Sequence, residues 1–209
     1  MDTIVNILQK APTYDLLSLA EMKVALNISD LDTSQDALIA TQITQMSDII
    51  QTLCHRVFAR EEVIETIREL DSRRVYLSHW PTYPDDIETV ECPRGTPYDP
   101  LGWELEVDSG KLELFNGQDE PITVKYWGGF VLPDEAPPAL KAACEILVRT
   151  YRIWNQRQVT SGIRSISHKD ARVMFFDPNV LLKQVGATPL SSAGQTIKDL
   201  LYHYMRFPI

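Results

Sequence analysis

Cys54 and His55 are adjacent and have the residue types of a nucleophile and its base. They fall at the end of a helix-patterned segment, where neighbouring side chains point about 100° apart and cannot hydrogen-bond productively, so the pair reads as structural. His79, His168 and His203 stand singly, with no HxxxH or HExxH spacing, whereas metal ligation needs several donors converging on one point. Asp85–Asp86 after Pro84 could hold a hard cation, but calcium wants further oxygen ligands at regular spacing and none follow, so a solvated turn is the better reading. No GxSxG, GxGxxG or Walker loop occurs, and Gly128–Gly129 reads as a structural turn. Trp80, Trp103 and Trp127 could build a stacking platform for sugars or bases, but aromatics in short strands more often fill a small core. The residues therefore assign no catalytic, cofactor-binding or metal-ligating position, and no cofactor is expected.

The remaining chemistry is charge. The net charge is -9 over 209 residues. Residues 1–57 carry three bases and seven acids, 58–133 seven bases and sixteen acids, and 134–209 ten bases and six acids. An acidic middle repels a nucleic-acid backbone and excludes a duplex-reading surface there. One basic segment spans 149–172, where Arg149, Arg152, Arg157, Arg164, Lys169 and Arg172 oppose Asp170 alone. It is the wet face of a helix, or a contact for an acidic surface on a neighbouring copy, or a nucleic-acid contact.

Elements of three kinds must position these residues. Ser18 followed by Glu21 is a capping box and predicts a short helix over about 19–27. Asp32–Thr33–Ser34 offers caps for a second helix, along which Leu38, Ile39, Ile43, Met46, Ile49, Ile50, Leu53 and Val57 recur every three or four residues, predicting helix from about 34 to 56. From Phe58 to Phe130 the helical period gives way to short β-branched and aromatic runs. Strands are expected at Val63–Leu70, Arg74–Leu77, Ile87–Cys92, Trp103–Val107, Lys111–Phe115 and Ile122–Trp127, with Asp108–Ser109–Gly110 as a hairpin turn. Pro137–Pro138 suits a helix start, and Leu140, Ala143, Cys144, Leu147, Val148, Tyr151 and Trp154 form a stripe across about 138–157. Residues 158–177 read as an exposed arm, 178–185 as a short helix, and about 195–206 as a closing amphipathic helix. The fold class is α+β: a helical body from 1–57 and 134–209, with a small antiparallel β module, 58–133, inserted. At 44% hydrophobic and 23% charged the chain can bury a core. Three cysteines without a CxxC pair read as buried thiols of a reducing compartment, and no run is apolar enough for a membrane helix, so an intracellular protein without a membrane partner is expected.

The order of these signals resembles the head–tail connector (adaptor) proteins of tailed bacteriophages, in particular members with a β insertion between their long helices. The resemblance is carried by Leu17–Ser18–Leu19–Ala20–Glu21–Met22–Lys23 and by the second helix ending Cys54–His55–Arg56–Val57–Phe58. It continues in Val124–Lys125–Tyr126–Trp127–Gly128–Gly129–Phe130 running into Pro138–Ala139–Leu140–Lys141–Ala142–Ala143, and in the closing Leu200–Leu201–Tyr202–His203–Tyr204–Met205–Arg206. It implies a non-enzymatic virion protein, made in the host cytoplasm. Such a protein assembles as a homo-oligomeric ring, usually of twelve copies, beneath the portal protein and carries a stopper or tail-completion protein below. Double-stranded DNA passes through the hole without sequence-specific binding. It also implies that the arm and last helix engage the portal and neighbouring subunits, which adds Tyr202, Tyr204 and Arg206 to the basic residues above as contact candidates. Two rivals stand beside it: a head-closure or tail-completion protein of the same neck, and a carbohydrate-acting or hydrolytic enzyme using the tryptophan-rich β module.

Overall fold

The structure is a computed structural model and describes residues 3–68, 74–92, 95–115, 121–160 and 196–205. The chain divides into two compact units, one of Met1–Tyr14 with Arg56–Glu135 and one of Asp15–His55 with Ala136–Ile209.

The first unit is a pair of antiparallel sheets. Its strands are β1 (Thr3–Gln9), β2 (Glu61–Ile67), β3 (Arg74–Tyr76), β4 (Ile87–Glu91), β5 (Trp103–Glu106), β6 (Lys111–Leu114) and β7 (Ile122–Gly128). One sheet has the order β1-β2-β7-β4 and the other β3-β6-β5. Each strand expected between 58 and 133 is present, within a few residues of its predicted ends. β5 and β6 pair from Trp103↔Leu114 to Glu106↔Lys111, and Gly110 supplies the positive φ (64°) of the expected turn between them. One buried cluster joins the sheets: Val63 and Ile67 of β2, Val75 and Leu77, Val90 and Cys92, Leu112 and Leu114 of β6, and Ile122, Val124 and Tyr126 of β7. Gly129 has φ 104°, and a Cβ there would run into the Ala59 carbonyl oxygen, so this turn requires glycine.

One strand was not expected. Thr3–Gln9, assigned from its sequence to the helical body, pairs antiparallel with β2 from Thr3↔Ile67 to Gln9↔Glu62. Its pattern gave no warning: as an outer strand with most of its residues exposed, β1 lacks the one-sided alternation of a half-buried strand.

The second unit is helical, with α1 (Leu19–Ala25), α2 (Asp36–Cys54), α3 (Pro138–Thr160) and a helix at 196–201 that tightens into a 3₁₀ turn at Tyr202–Tyr204. The capping box is formed: Glu21 N–H donates to Ser18 Oγ at 3.2 Å, and Ser18 N–H donates to Glu21 Oε2 at 2.8 Å. The second start signal acts differently from its reading. Asp32 Oδ1 accepts from Ser34 N–H (3.0 Å) and Ser34 Oγ–H (2.6 Å), which makes a turn ahead of the helix and delays α2 to Asp36. At the other end His55 adopts the left-handed conformation and stops α2 two residues short of the expected 56. α3 begins at the predicted proline and continues past 157 to Thr160. Ile39, Ile43, Met46 and Ile50 of α2, and Leu140, Ala143, Cys144, Leu147 and Val148 of α3, are buried as their spacing implied, and Cys54 is buried as expected of a thiol; Leu38 is exposed. The expected arm at 158–177 falls, from residue 161 on, outside the described residues, as does the short helix at 178–185.

Candidate functional site

Among the described residues, the strongest concentration of reactive side chains lies in the β unit and was not singled out by sequence. β2 reads Glu-Glu-Val-Ile-Glu-Thr-Ile, and alternate residues point inward, so Glu61 and Glu65 enter the core in phase with Val63 and Ile67. Both carboxylates are fully buried. Burying a carboxylate is costly unless its oxygens find donors, and here they do. Glu61 accepts from Tyr14 O–H at 2.5 Å and Ala11 N–H at 3.4 Å through Oε1, and its Oε2 lies 3.1 Å from His79 Nε2. Glu65 accepts from Tyr126 O–H at 2.7 Å and Ser78 N–H at 2.9 Å through Oε2, and from Ser78 O–H at 2.7 Å through Oε1. Tyr126 Oη in turn accepts from His79 N–H at 3.1 Å, and Thr82 O–H donates to the His79 carbonyl at 2.8 Å. The guanidinium of Arg56, also buried, donates to the Trp80 carbonyl and stacks 3.2 Å from the centroid of the Trp80 ring and 4.7 Å from that of Phe58.

The electrostatics follow from the burial. Desolvation, then the carboxylate of Glu61, pushes the Tyr14 phenol up to about 12, and burial with Glu65 holds the Tyr126 phenol well above its ordinary value. Burial lowers the His79 imidazole below its ordinary 6.5 against the pull of Glu61, which keeps the ring neutral near pH 7. Two acids, a histidine and two phenols would suit acid–base chemistry, but every carboxylate oxygen is engaged and both acids have no exposure to solvent. The arrangement fastens β2 to β7, to the 77–82 loop and to the segment after β1. Ser78 and His79, which bind Glu65 and Glu61, precede Trp80 in sequence, and both acids face protein donors. Trp80, Trp103 and Trp127 are each half-buried, Trp103 against the core cluster, and the Arg60 guanidinium lies 6.0 Å from the Trp127 centroid.

Other sequence candidates fall elsewhere. Cys54 is buried within α2 while His55, its left-handed cap, is exposed. Asp86 pairs with Arg60 at 2.5 Å. Among the described residues no three His, Cys, Asp or Glu side chains gather as a metal site, and no helix is long and apolar enough to cross a membrane.

Two members of the basic segment are described in full, and both turn back onto their own unit. Arg149 donates to the Ala25 carbonyl at the end of α1 and pairs with Glu145 one turn before it at 2.8 Å. Arg152 donates to Gln42 Oε1 of α2 at 3.2 Å and to Gln35 Oε1. They line a shallow groove with Leu26, Ile28 and Ile153. Tyr202 is exposed and meets His203 edge-on at 5.6 Å, and Tyr204 is half-buried. The Arg157 side chain, and Arg164, Lys169, Arg172 and Arg206, lie outside the described residues. The acid and lysine of the opening helix have distinct tasks: Glu21 pairs with Lys141 at 2.6 Å, and the buried Lys23 reaches Asp36 at 2.9 Å and the Asp30 carbonyl at 3.1 Å.

Acidity follows the β unit. Residues 1–14 and 56–135 hold nine bases and nineteen acids, and the remainder eleven bases and ten acids.

No protein-family model matches the sequence, and no curated protein matches it. Solved structures do. A chain in a structure of the virion of the native gene transfer agent (GTA) particle is similar at a TM-score of 0.58 and 13% identity, over 99% of this chain and 97% of that one. Chains in the neck of the empty GTA particle computed with C6 symmetry (TM-score 0.56, 15% identity) and in the neck of the native GTA particle computed with C12 symmetry (0.53, 14%) match over the same shares. The chain thus has, end to end, a fold found among the subunits of a phage-like particle and its neck.

Proposed function

We propose that this chain is a structural connector of a phage-like neck: a homo-oligomeric ring beneath the portal that joins the capsid to the stopper or tail and lets double-stranded DNA pass. The observation that carries the reading is the likeness to GTA neck chains over nearly the full length of both proteins. The symmetry of those necks favours a ring, and the order of motifs that resembles phage adaptors favours the position next to the portal. The role is one of shape and charge without catalysis, in keeping with the closed acid cluster of the β unit. A conduit must not grip its cargo, since each phosphate neutralised adds affinity, and an acidic β unit suits a wall that DNA slips past. The arm and last helix, with Arg157, Arg164, Lys169, Arg172, Tyr202, Tyr204 and Arg206, make the portal and subunit contacts in this reading, while Arg149 and Arg152 support them by holding α3 against α1 and α2.

The test is electron microscopy of the purified chain mixed with the portal protein of the same particle. The expected result is added ring density at one end of the portal, lost when residues 161–209 are deleted. Portal particles unchanged by a large excess of folded chain would overturn the proposal.

A further inference from the structure

The two outer strands of the four-stranded sheet end differently. The segment after β4 folds back along it, with Tyr98 N–H donating to the Val90 carbonyl at 2.8 Å. β1 pairs with β2 along one side, and among the described residues nothing pairs along the other. Edge strands are usually guarded by charge, proline or brevity, and β1 has neither charge nor proline in its seven residues. Its pairing with β2 is regular from Thr3 to Ile7 and shifts at Leu8, so Thr3–Ile7 is the stretch that offers a straight edge.

That stretch also leaves the core open. Thr3, Val5 and Ile7 lie opposite Ile67, Glu65 and Val63, the inward residues of β2, and Val5 packs against the core cluster. Ile7, on the same face, is still 43% exposed. Ile4 and Asn6 alternate with them and fall on the outer face, where both are exposed. A further strand with apolar residues at alternate positions covers Val5 and Ile7 and pairs the bare backbone.

Outside the described residues, the sequence holds a run that fits. Ala171–Arg172–Val173–Met174–Phe175–Phe176 has the composition of a strand and is bounded by Asp170 and by Asp177–Pro178. Its alternation sets Ala171, Val173 and Phe175 on one wholly apolar face and Arg172 on the other. Ten residues separate the run from Thr160, a reach of up to about 35 Å, and nineteen more separate it from the helix at 196. That slack is enough to cross to a neighbouring copy. Charge favours the same pairing. Residues 161–176 hold Arg164, Lys169 and Arg172 against Asp170, whereas the unit that contains β1 holds nineteen acids against nine bases.

We infer that residues 171–176 of one copy add as a strand to the Thr3–Ile7 edge of the next, extending its four-stranded sheet to five. The inference rests on the ring of the proposed function. Each copy gives one strand and receives one, so the contact is heterologous and passes from copy to copy until a ring closes.

Disulfide trapping between full-length chains tests it. Chains carrying Asn6→Cys are mixed with chains carrying Arg172→Cys, Met174→Cys or Phe176→Cys, the outer-face positions of the run. Facing strand residues lie within disulfide range, and Cys54, Cys92 and Cys144 are buried. On mild oxidation one of the three mixtures should yield a species of twice 23.8 kDa, well above either chain alone, while Val173→Cys, on the inward face, should not. Val173→Glu added to the responsive chain buries an acid against the core and should cut the yield about tenfold or more. Unchanged circular dichroism and melting show that the variants fold. No mixed cross-link at chain concentrations up to roughly 1 mM overturns the inference. So does a disulfide that forms only within single chains carrying both cysteines. Ring density on the portal without the cross-link removes this inference alone, and cross-linked chains that leave the portal bare remove the neck reading alone.

Discussion

Replacing Tyr126 with phenylalanine deletes one oxygen from the interior of the β unit and leaves the ring in place. Tyr126 is fully buried, so no water can substitute. Its hydroxyl donates to Glu65 at 2.7 Å and accepts from His79 N–H at 3.1 Å. A hydrogen bond to a charged acceptor contributes about 1.5–3 kcal/mol, and a buried N–H left without its acceptor costs about 1–3 kcal/mol. Glu65 keeps both donors from Ser78, which puts the net loss toward the low end of the combined range of about 2.5–6 kcal/mol, at about 3 kcal/mol. Urea unfolding followed by tryptophan fluorescence reads this directly. With a slope of about 2 kcal/mol/M, the midpoint should fall by roughly 1.5 M with the slope unchanged. Glu65→Gln serves as the second arm of a double-mutant cycle, with an expected coupling of about 1–2 kcal/mol. A loss below about 0.5 kcal/mol, or additive single effects, would refute the view that these groups act as one fastening.

Three further outcomes are expected. Stability should be complete above pH 6.5 and decline as pH falls through the lowered value of His79, because the unfolded imidazole takes up a proton that the buried one refuses; His79→Gln should flatten that part of a pH series of unfolding midpoints. Gly129→Ala should cost about 2–4 kcal/mol in denaturant titration, since φ is 104° and the Ala59 carbonyl fills the space, whereas Gly95→Ala, at φ 90° in open surroundings, should cost only about 1 kcal/mol. Cys144, fully buried with burial pushing its thiol up to about 12, should resist an aromatic disulfide reagent in the native protein and react on unfolding.

Features that depend on near neighbours in sequence were the ones visible before the fold. Ser18 and Glu21 declare a helix start within four residues, Pro137–Pro138 another, and Asp108–Ser109–Gly110 a hairpin, because each signal and its structural answer lie side by side. Strands 61–128 were legible from composition and punctuation alone. The closed acid cluster was not. Charged residues alternating with apolar ones normally mark a wet face, as Glu104 and Glu106 do on β5, where both are exposed. On β2 the same kind of alternation has two possible phases, and only the donors from Tyr14, Ser78, His79 and Tyr126, distant in sequence, decide that Glu61 and Glu65 face inward. β1 was missed for a related reason: its partner is more than fifty residues away, and a strand seen by solvent on most sides carries no alternation to read. The basic segment shows a third case, since Arg149 and Arg152 look like free surface charge until the Ala25 carbonyl, Gln35 ahead of α2 and Gln42 within it are brought beneath them.

The place of β1 in the chain has a consequence for biosynthesis. This strand leaves the ribosome before α1 and α2, but β2, the neighbour that receives it, is translated only after both helices. Through that interval a bare, uncharged stretch waits in the cell while local helices are already able to form, and long-range strand pairing is slow by nature. The nascent chain is therefore most vulnerable to clumping early in its own synthesis, and a soluble fusion partner placed ahead of Thr3 protects it at the stage when the finished fold cannot.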